Sequence, residues 1–161
     1  MIADIEQGII ARLQAEISGI AQIVKMMAGP DGNPVAVPVQ IKSYPPTPND
    51  MTLKTLASAG SVLVRYTGSR YGKARKGTSW MVQDRMMLFE ILIVSDSLLT
   101  SASATGIYSM LDLAGTRLMG YQPSGATGVI ELVQDDYVAE TKGSWEYGLI
   151  ISVPTQRKVD L

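Results

Sequence analysis

Apolar residues recur every three or four positions from the first residues onward: Ile2, Ile5, Ile9, Leu13, Ile17, Ile20, Val24 and Met27. That spacing predicts one amphipathic helix over Met1 to Ala28, with Glu6, Arg12, Gln14 and Gln22 off the stripe. Gly29-Pro30 stops it, and Asp31-Gly32 adds a turn signal. Val35 to Lys42 is β-rich, but Pro38 demotes it to an edge strand or extended arm. Tyr44 to Pro48 is a stiff proline-rich connector. Asn49 or Asp50 then caps a short helix through about Ala59, closed by Gly60.

Alternation takes over at Ser61 to Tyr66, the mark of a strand. Thr67 to Ser79 carries Gly68, Gly72 and Gly77 and reads as a loop. Trp80 to Ser95 is a long strand. Met86, Leu88, Leu92 and Val94 share one face with Glu90, and Met87, Phe89, Ile91 and Ile93 share the other. Two apolar faces predict a central strand covered on both sides. Ser101 or Ser103 caps a helix that buries Ile107, Leu111, Ala114 and Leu118 and ends at Gly120. Val129 to Val138 is a strand, Thr141 to Ser144 a turn, and the last strand places Trp145, Tyr147, Leu149, Ile151 and Val153 on one face. Pro154 closes it, which leaves 155–161 as a polar tail on a single domain of residues 1–154. The order predicts an α+β fold: a mostly antiparallel sheet of four to five strands, helices packed on it, and a long N-terminal helix.

Composition narrows the chemistry. The chain has no cysteine and no histidine. Disulfides, thiolate nucleophiles and the commonest metal ligands and general bases are therefore missing. Charged residues are 18%, against about 25% in ordinary globular domains. Either part of the surface faces protein, or it is a neutral surface rich in Ser, Thr and Gly. The net charge of −1 supplies no field for nucleic acid or anionic membrane. Met1 to Glu6 lacks the basic start of a signal peptide, and Met86 to Val94 is too short to span a bilayer. The expectation is a protein made in a cytoplasm, with no membrane partner.

No enzyme motif survives its physical test. Gly68 to Lys73 resembles a phosphate loop, but three residues separate its glycines where four are needed, and Ala74 follows the lysine. Asp135 and Asp136 point to opposite faces of a strand. Asp84 and Glu90 share a face but stand about 20 Å apart, too far for a glycosidase pair. No catalytic, metal or cofactor site is expected, and the chain is not expected to be an enzyme. The one concentration of charge is Arg70, Lys73, Arg75 and Lys76, with Tyr66 and Tyr71 beside it. It is weighed as a solvated loop, a protein interface or a nucleic-acid contact.

Taken together, the chain resembles the tail terminator proteins of tailed bacteriophages, most closely those of Mu-like phages with contractile tails. The resemblance rests on the N-terminal helix, the proline-rich stretch Tyr44 to Pro48, the strand Met86 to Val94, the helix Gly106 to Gly120, and Gly143-Ser144-Trp145-Glu146-Tyr147-Gly148-Leu149. It implies an α+β subunit of a homo-hexameric ring in the virion, assembled in the host cytoplasm. The ring binds the end of the tail tube and the last sheath ring, halts polymerisation and offers a surface to the head–tail connector. Genomic double-stranded DNA passes through the lumen without sequence-specific binding. No catalytic residue is transferred. A neck or head–tail completion protein, and a small nucleic-acid-binding domain using residues 70–76, are the competing expectations.

Overall fold

A computed structural model describes residues 1–15, 24–28, 31–45, 60–99, 106–141 and 143–161. Helix α1 (Ile2–Gln14) buries Ile5, Ile9, Ile10 and Leu13, the start of the stripe read from the sequence. The amino terminus closes on Asp4 at 2.7 Å. Asp4 is held below its usual carboxylate range, first by that hydrogen bond and then by the ammonium charge.

The helix does not reach Ala28. Val24–Ala28 is a strand, β1, paired antiparallel with β2 (Pro34–Pro38) in a two-stranded sheet. The turn between them decides this. Gly32 adopts φ +80°, and the Asp31 carboxylate accepts hydrogen bonds from the Asn33 backbone (3.2 Å) and side chain (2.8 Å). Ile17 and Ile20, and the Gly29-Pro30 stop, lie outside the described residues. The β-rich run expected over Val35 to Lys42 divides at Val39. β2 belongs to the small sheet, and β3 (Gln40–Ser43) belongs to the main one. The proline-rich segment beyond Pro45, the helix expected through Ala59, and the caps Ser101 and Ser103 also lie outside the described residues.

The main sheet has five strands in the order β3-β4-β5-β7-β6. Its members are β3, β4 (Ser61–Lys76), β5 (Trp80–Ser95), β6 (Glu131–Thr141) and β7 (Ser144–Asp160). Only the β3–β4 pair is parallel. With α1 and helix α2 (Ile107–Leu118), this is the expected α+β fold. β5 is central, as its two apolar faces require. Its Met87, Phe89, Ile91 and Ile93 join Val62, Val64, Leu149, Ile151 and Val153 in one core with Ile5, Ile9, Leu13, Ile107, Met110, Ala114 and Leu118 from the helices. On the opposite face Leu63, Leu92 and Val94 form a smaller cluster with Tyr44 against it. α1 is anchored by Arg12, whose Nε donates to the Arg117 carbonyl (3.1 Å), and by Glu6, which accepts from Ser43 Oγ (2.6 Å).

β6 begins later than expected because Ile130 is already paired elsewhere. It donates to the Tyr121 carbonyl (2.7 Å) and accepts from Gly120 N (3.0 Å). Two further expectations are overturned. Thr67 to Ser79 is not a loop, since β4 continues to Lys76 and turns into β5 through Gly77. A Cβ on Gly77 would lie 2.5 Å from the Trp80 ring, so glycine lets that ring pack over the turn. Nor does Pro154 close the last strand. β7 runs on to Asp160, paired with β5 down to Trp80↔Asp160. β6 stops accompanying β7 at Ser152, so proline's missing N–H costs no ladder bond there. The carbonyl of Pro154 instead accepts from Thr127 N at 2.9 Å.

Candidate functional site

The outer halves of β4, β5 and β7 form a three-stranded ribbon that continues past the helices. From Thr67 to Lys76 it extends roughly 25–30 Å, at about 3.3 Å per residue less two bulges. The bulges are register shifts at Tyr66/Gly68 and Tyr71/Ala74. Gly68, at φ +146°, supplies the first in a conformation that side chains rarely adopt.

The four cations singled out in the sequence all stand on this ribbon, and all are exposed. Arg70 lies opposite Met86, Arg75 opposite Val82 and Lys76 opposite Met81, while Lys73 falls within the second bulge. Residues paired across the ladder share a face, so Arg70 and Arg75 project from one face and Lys76 from the other. They are spread along an edge, not gathered on a loop tip. Arg75 Nη2 meets Asp84 Oδ1 at 2.9 Å, and Gln156 Nε2 donates to the same oxygen. Both partners of that ion pair are more than half exposed, so it adds little to stability. Arg70, Asp84, Met86 and Pro154 also line an open recess of about 320 Å³.

Deeper in the ribbon lies a cation outside the cluster that the sequence singles out. Arg85 is 7% exposed. Its Nε donates to Ser69 Oγ (2.7 Å) and its Nη2 to Tyr66 Oη (3.0 Å). The guanidinium lies 5.8 Å and 5.6 Å from the ring centres of Tyr66 and Tyr71. The Ser69 hydrogen bond, aided by Arg85, holds the Tyr66 phenol below its usual value. Neutral hydroxyls and π faces thus replace a carboxylate counter-ion. The only signal in the sequence was a cation on the core-side parity of β5.

The far end of the sheet has the opposite character. β6 carries Glu131, Asp135, Asp136 and Glu140 and no basic residue. Asp135 lies opposite Leu149 and Asp136 opposite Gly148, on opposite faces as adjacency in a strand demands. Val133 (51% exposed) and Val138 sit at bulges beside them, and Tyr137 is 55% exposed. Tyr137 still makes edge-on contacts with Trp145 (6.5 Å) and Tyr147 (5.7 Å). Asp84 and Glu90, read as too distant to cooperate, each serve a different arginine, Arg75 and Arg65.

Among the described residues, no group of three or more His, Cys, Asp or Glu side chains is placed to hold a metal ion. Among them too, no helix is long and apolar enough to cross a membrane. No curated protein matches the chain. A family model described as Gp37 protein matches residues 33–159, from the turn before β2 to the last residues of β7. That span contains α2 and all of the five-stranded sheet but Asp160, and the chain belongs to this Gp37 family of phage proteins.

Proposed function

We propose that the protein is a tail terminator: a structural, non-catalytic virion subunit that assembles as a hexameric ring on the end of the tail tube. In this reading the ring stops tube growth, meets the last sheath ring and presents the surface on which the head–tail connector docks. DNA crosses the lumen without being read. The observation that carries it is the ribbon. A phage protein whose three longest strands run past its own helices, with exposed cations along one edge and an acidic edge at the other end of the sheet, is shaped to be covered by neighbours. The quoted resemblance supports the same reading, because its strand Met86 to Val94 lies in the central strand β5 and its helix coincides with α2.

Electron microscopy of tails assembled without this protein tests it. Overlong tails are the expected result. Tails of normal length that fail to join heads would instead identify a neck or completion protein. Salt-sensitive DNA binding by a monomer would identify a nucleic-acid-binding domain on the basic edge.

A further inference from the structure

We infer that copies of this chain join head to tail, the acidic free edge of β6 on one copy seating on the basic free edge of outer β4 on the next. The inference rests on the ring reading above and adds which surfaces meet.

Among the described residues the main sheet leaves unpaired the outer sides of β3 and β6, of β4 beyond Val64 and of β7 beyond Pro154, and two of these edges, β6 and outer β4, carry charge of a single sign. β6 ends the sheet order, so its side away from β7 has no strand partner among the described residues. β3 accompanies β4 only from Ser61 to Val64, and among the described residues the last bond on that side is Tyr44 N to the Val64 carbonyl at 2.8 Å. From Thr67 to Lys76 the β4 edge is likewise without a strand partner among the described residues. Open edges are templates for pairing with another chain.

The charges on these edges are sorted. Thr67 to Lys76 holds Arg70, Lys73, Arg75 and Lys76 and no acid. Glu131 to Thr141 holds four acids and no base. Pairing β6 with β6, or β4 with β4, would set like charges against each other, which disfavours a two-fold contact through either edge. Pairing β6 with β4 matches them and is necessarily heterologous. Such a contact, repeated, closes a ring or grows a filament. The bulges refine the fit. Between its two register shifts β6 offers only Gln134 to Tyr137 as regular strand, so the backbone contact is short and the charges choose the partner. Exposed Val133, Val138 and Tyr137 on one edge, and Tyr71 on the other, supply apolar area beside it.

Charge reversal tests this on the full chain. One variant carries Asp135→Lys and Asp136→Lys, and a second carries Arg75→Glu and Lys76→Glu. All four positions are exposed, and thermal melts establish that each variant is folded. Assembly is followed by sedimentation across a concentration series, and by electron microscopy after addition to tails lacking the protein. The wild type should assemble, less so at high salt. Each variant alone should need at least about ten-fold more protein for half-assembly. Mixing the two variants should restore assembly in alternation, because each then offers the edge the other needs. Assembly unchanged by either reversal would overturn the proposed contact and leave the terminator reading standing. Assembly intact but DNA retention lost in the β4 variant would also overturn it, and would assign that edge to nucleic acid. A wild type that is monomeric both in solution and on tail ends would overturn it together with the ring. Tail length in the absence of the protein judges the terminator reading separately.

Discussion

Arg65 reaches one oxygen of Glu90 with two of its nitrogens: Nε donates to Oε2 at 2.8 Å, and Nη2 lies 2.6 Å from the same atom. The pair spans directly opposed positions on β4 and β5, beneath Tyr44, whose ring centre is 4.8 Å from the guanidinium carbon. The Glu90 side chain is 10% exposed and that of Arg65 43%. Breaking such a pair costs more than forming it gains, because the partner left behind keeps its desolvation penalty. Arg65→Met should therefore destabilise the protein by about 2 kcal/mol, below the roughly 3–5 kcal/mol of a fully buried pair because the Arg65 side chain is 43% exposed. Glu90→Leu combined with Arg65→Met should recover most of that loss. Urea unfolding of the two single variants and the double variant measures the coupling, and additive losses would contradict it.

The same carboxylate defines a limit on its neighbour. A Cβ on Gly148 would stand 2.9 Å from Glu90 Oε1 and 3.4 Å from Val138 Cγ2. Because Oε2 is tied to Arg65, the carboxylate is not free to swing aside. Gly148→Ala should cost roughly 1–3 kcal/mol through overpacking. In a Glu90→Ala background, where the obstructing oxygens are gone, the same substitution should cost markedly less. Equal costs in both backgrounds would show that Gly148 answers to some other constraint.

Glu146 adds a pH dependence to this cluster. Its pKa is raised above the ordinary 4.5, first by burial, with Glu90 pushing the same way and Arg65 opposing. The folded state therefore holds this proton more tightly than the unfolded chain does. Stability falls as pH rises from the ordinary glutamate value through the raised folded value, and the penalty is constant above that window. Glu146→Gln removes the penalty. It should raise the melting temperature at pH 7 relative to wild type, and the gain should vanish below about pH 4, where the wild-type carboxyl is protonated in both states. Melting curves across pH 3 to 8 check it, and a loss at pH 7 would reverse the assignment.

What was legible in the sequence follows the range over which each signal acts. The central position of β5 was readable because two apolar faces can only be covered on both sides. The α2 face is readable because Ile107, Ala114 and Leu118 repeat at helical spacing and are buried, while Leu111, expected with them, is only partly buried and Met110 is fully buried. Periodicity overextends the first helix because Val24 and Met27 continue its spacing, while the competing hairpin depends on a turn at Asp31-Gly32 and on pairing with residues 6 to 14 positions away. The ribbon reads as a loop from sequence because its bulges reset the alternation at Gly68 and again before Ala74, so no single period runs through it. Residues 155–160 looked like a tail for a related reason. Thr155 is buried but 156–160 are exposed, so the alternation that marks a half-buried strand is missing there. The four cations could be named from the sequence, but not the acidic edge that balances them. Its place at the end of the sheet follows from strand order, which local patterns do not encode.

Arg85 gives the remaining prediction. Burying a guanidinium is costly unless hydrogen bonds and polarisable neighbours replace water. Here Ser69 Oγ and Tyr66 Oη accept from Nε and Nη2, and these two hydroxyls are 2.8 Å from each other. Tyr66→Phe keeps the ring, including its edge-on contact with Phe89 at 5.6 Å, and removes only the oxygen. Any loss thus measures the hydroxyl's contacts with Arg85 and Ser69 together, of which the bond to the charged donor is worth about 1.5–3 kcal/mol. Replacing the cation as well, in Tyr66→Phe with Arg85→Met, should cost less than the sum of the two single changes, because no buried charge is then left short of acceptors. The phenol itself should titrate below the ordinary tyrosine value of 10.0. Following the aromatic resonances through alkaline pH, with the Tyr66→Phe spectrum as the assignment, tests this. A Tyr66 midpoint at or above that value would show that Ser69 and Arg85 do not hold its oxygen as described.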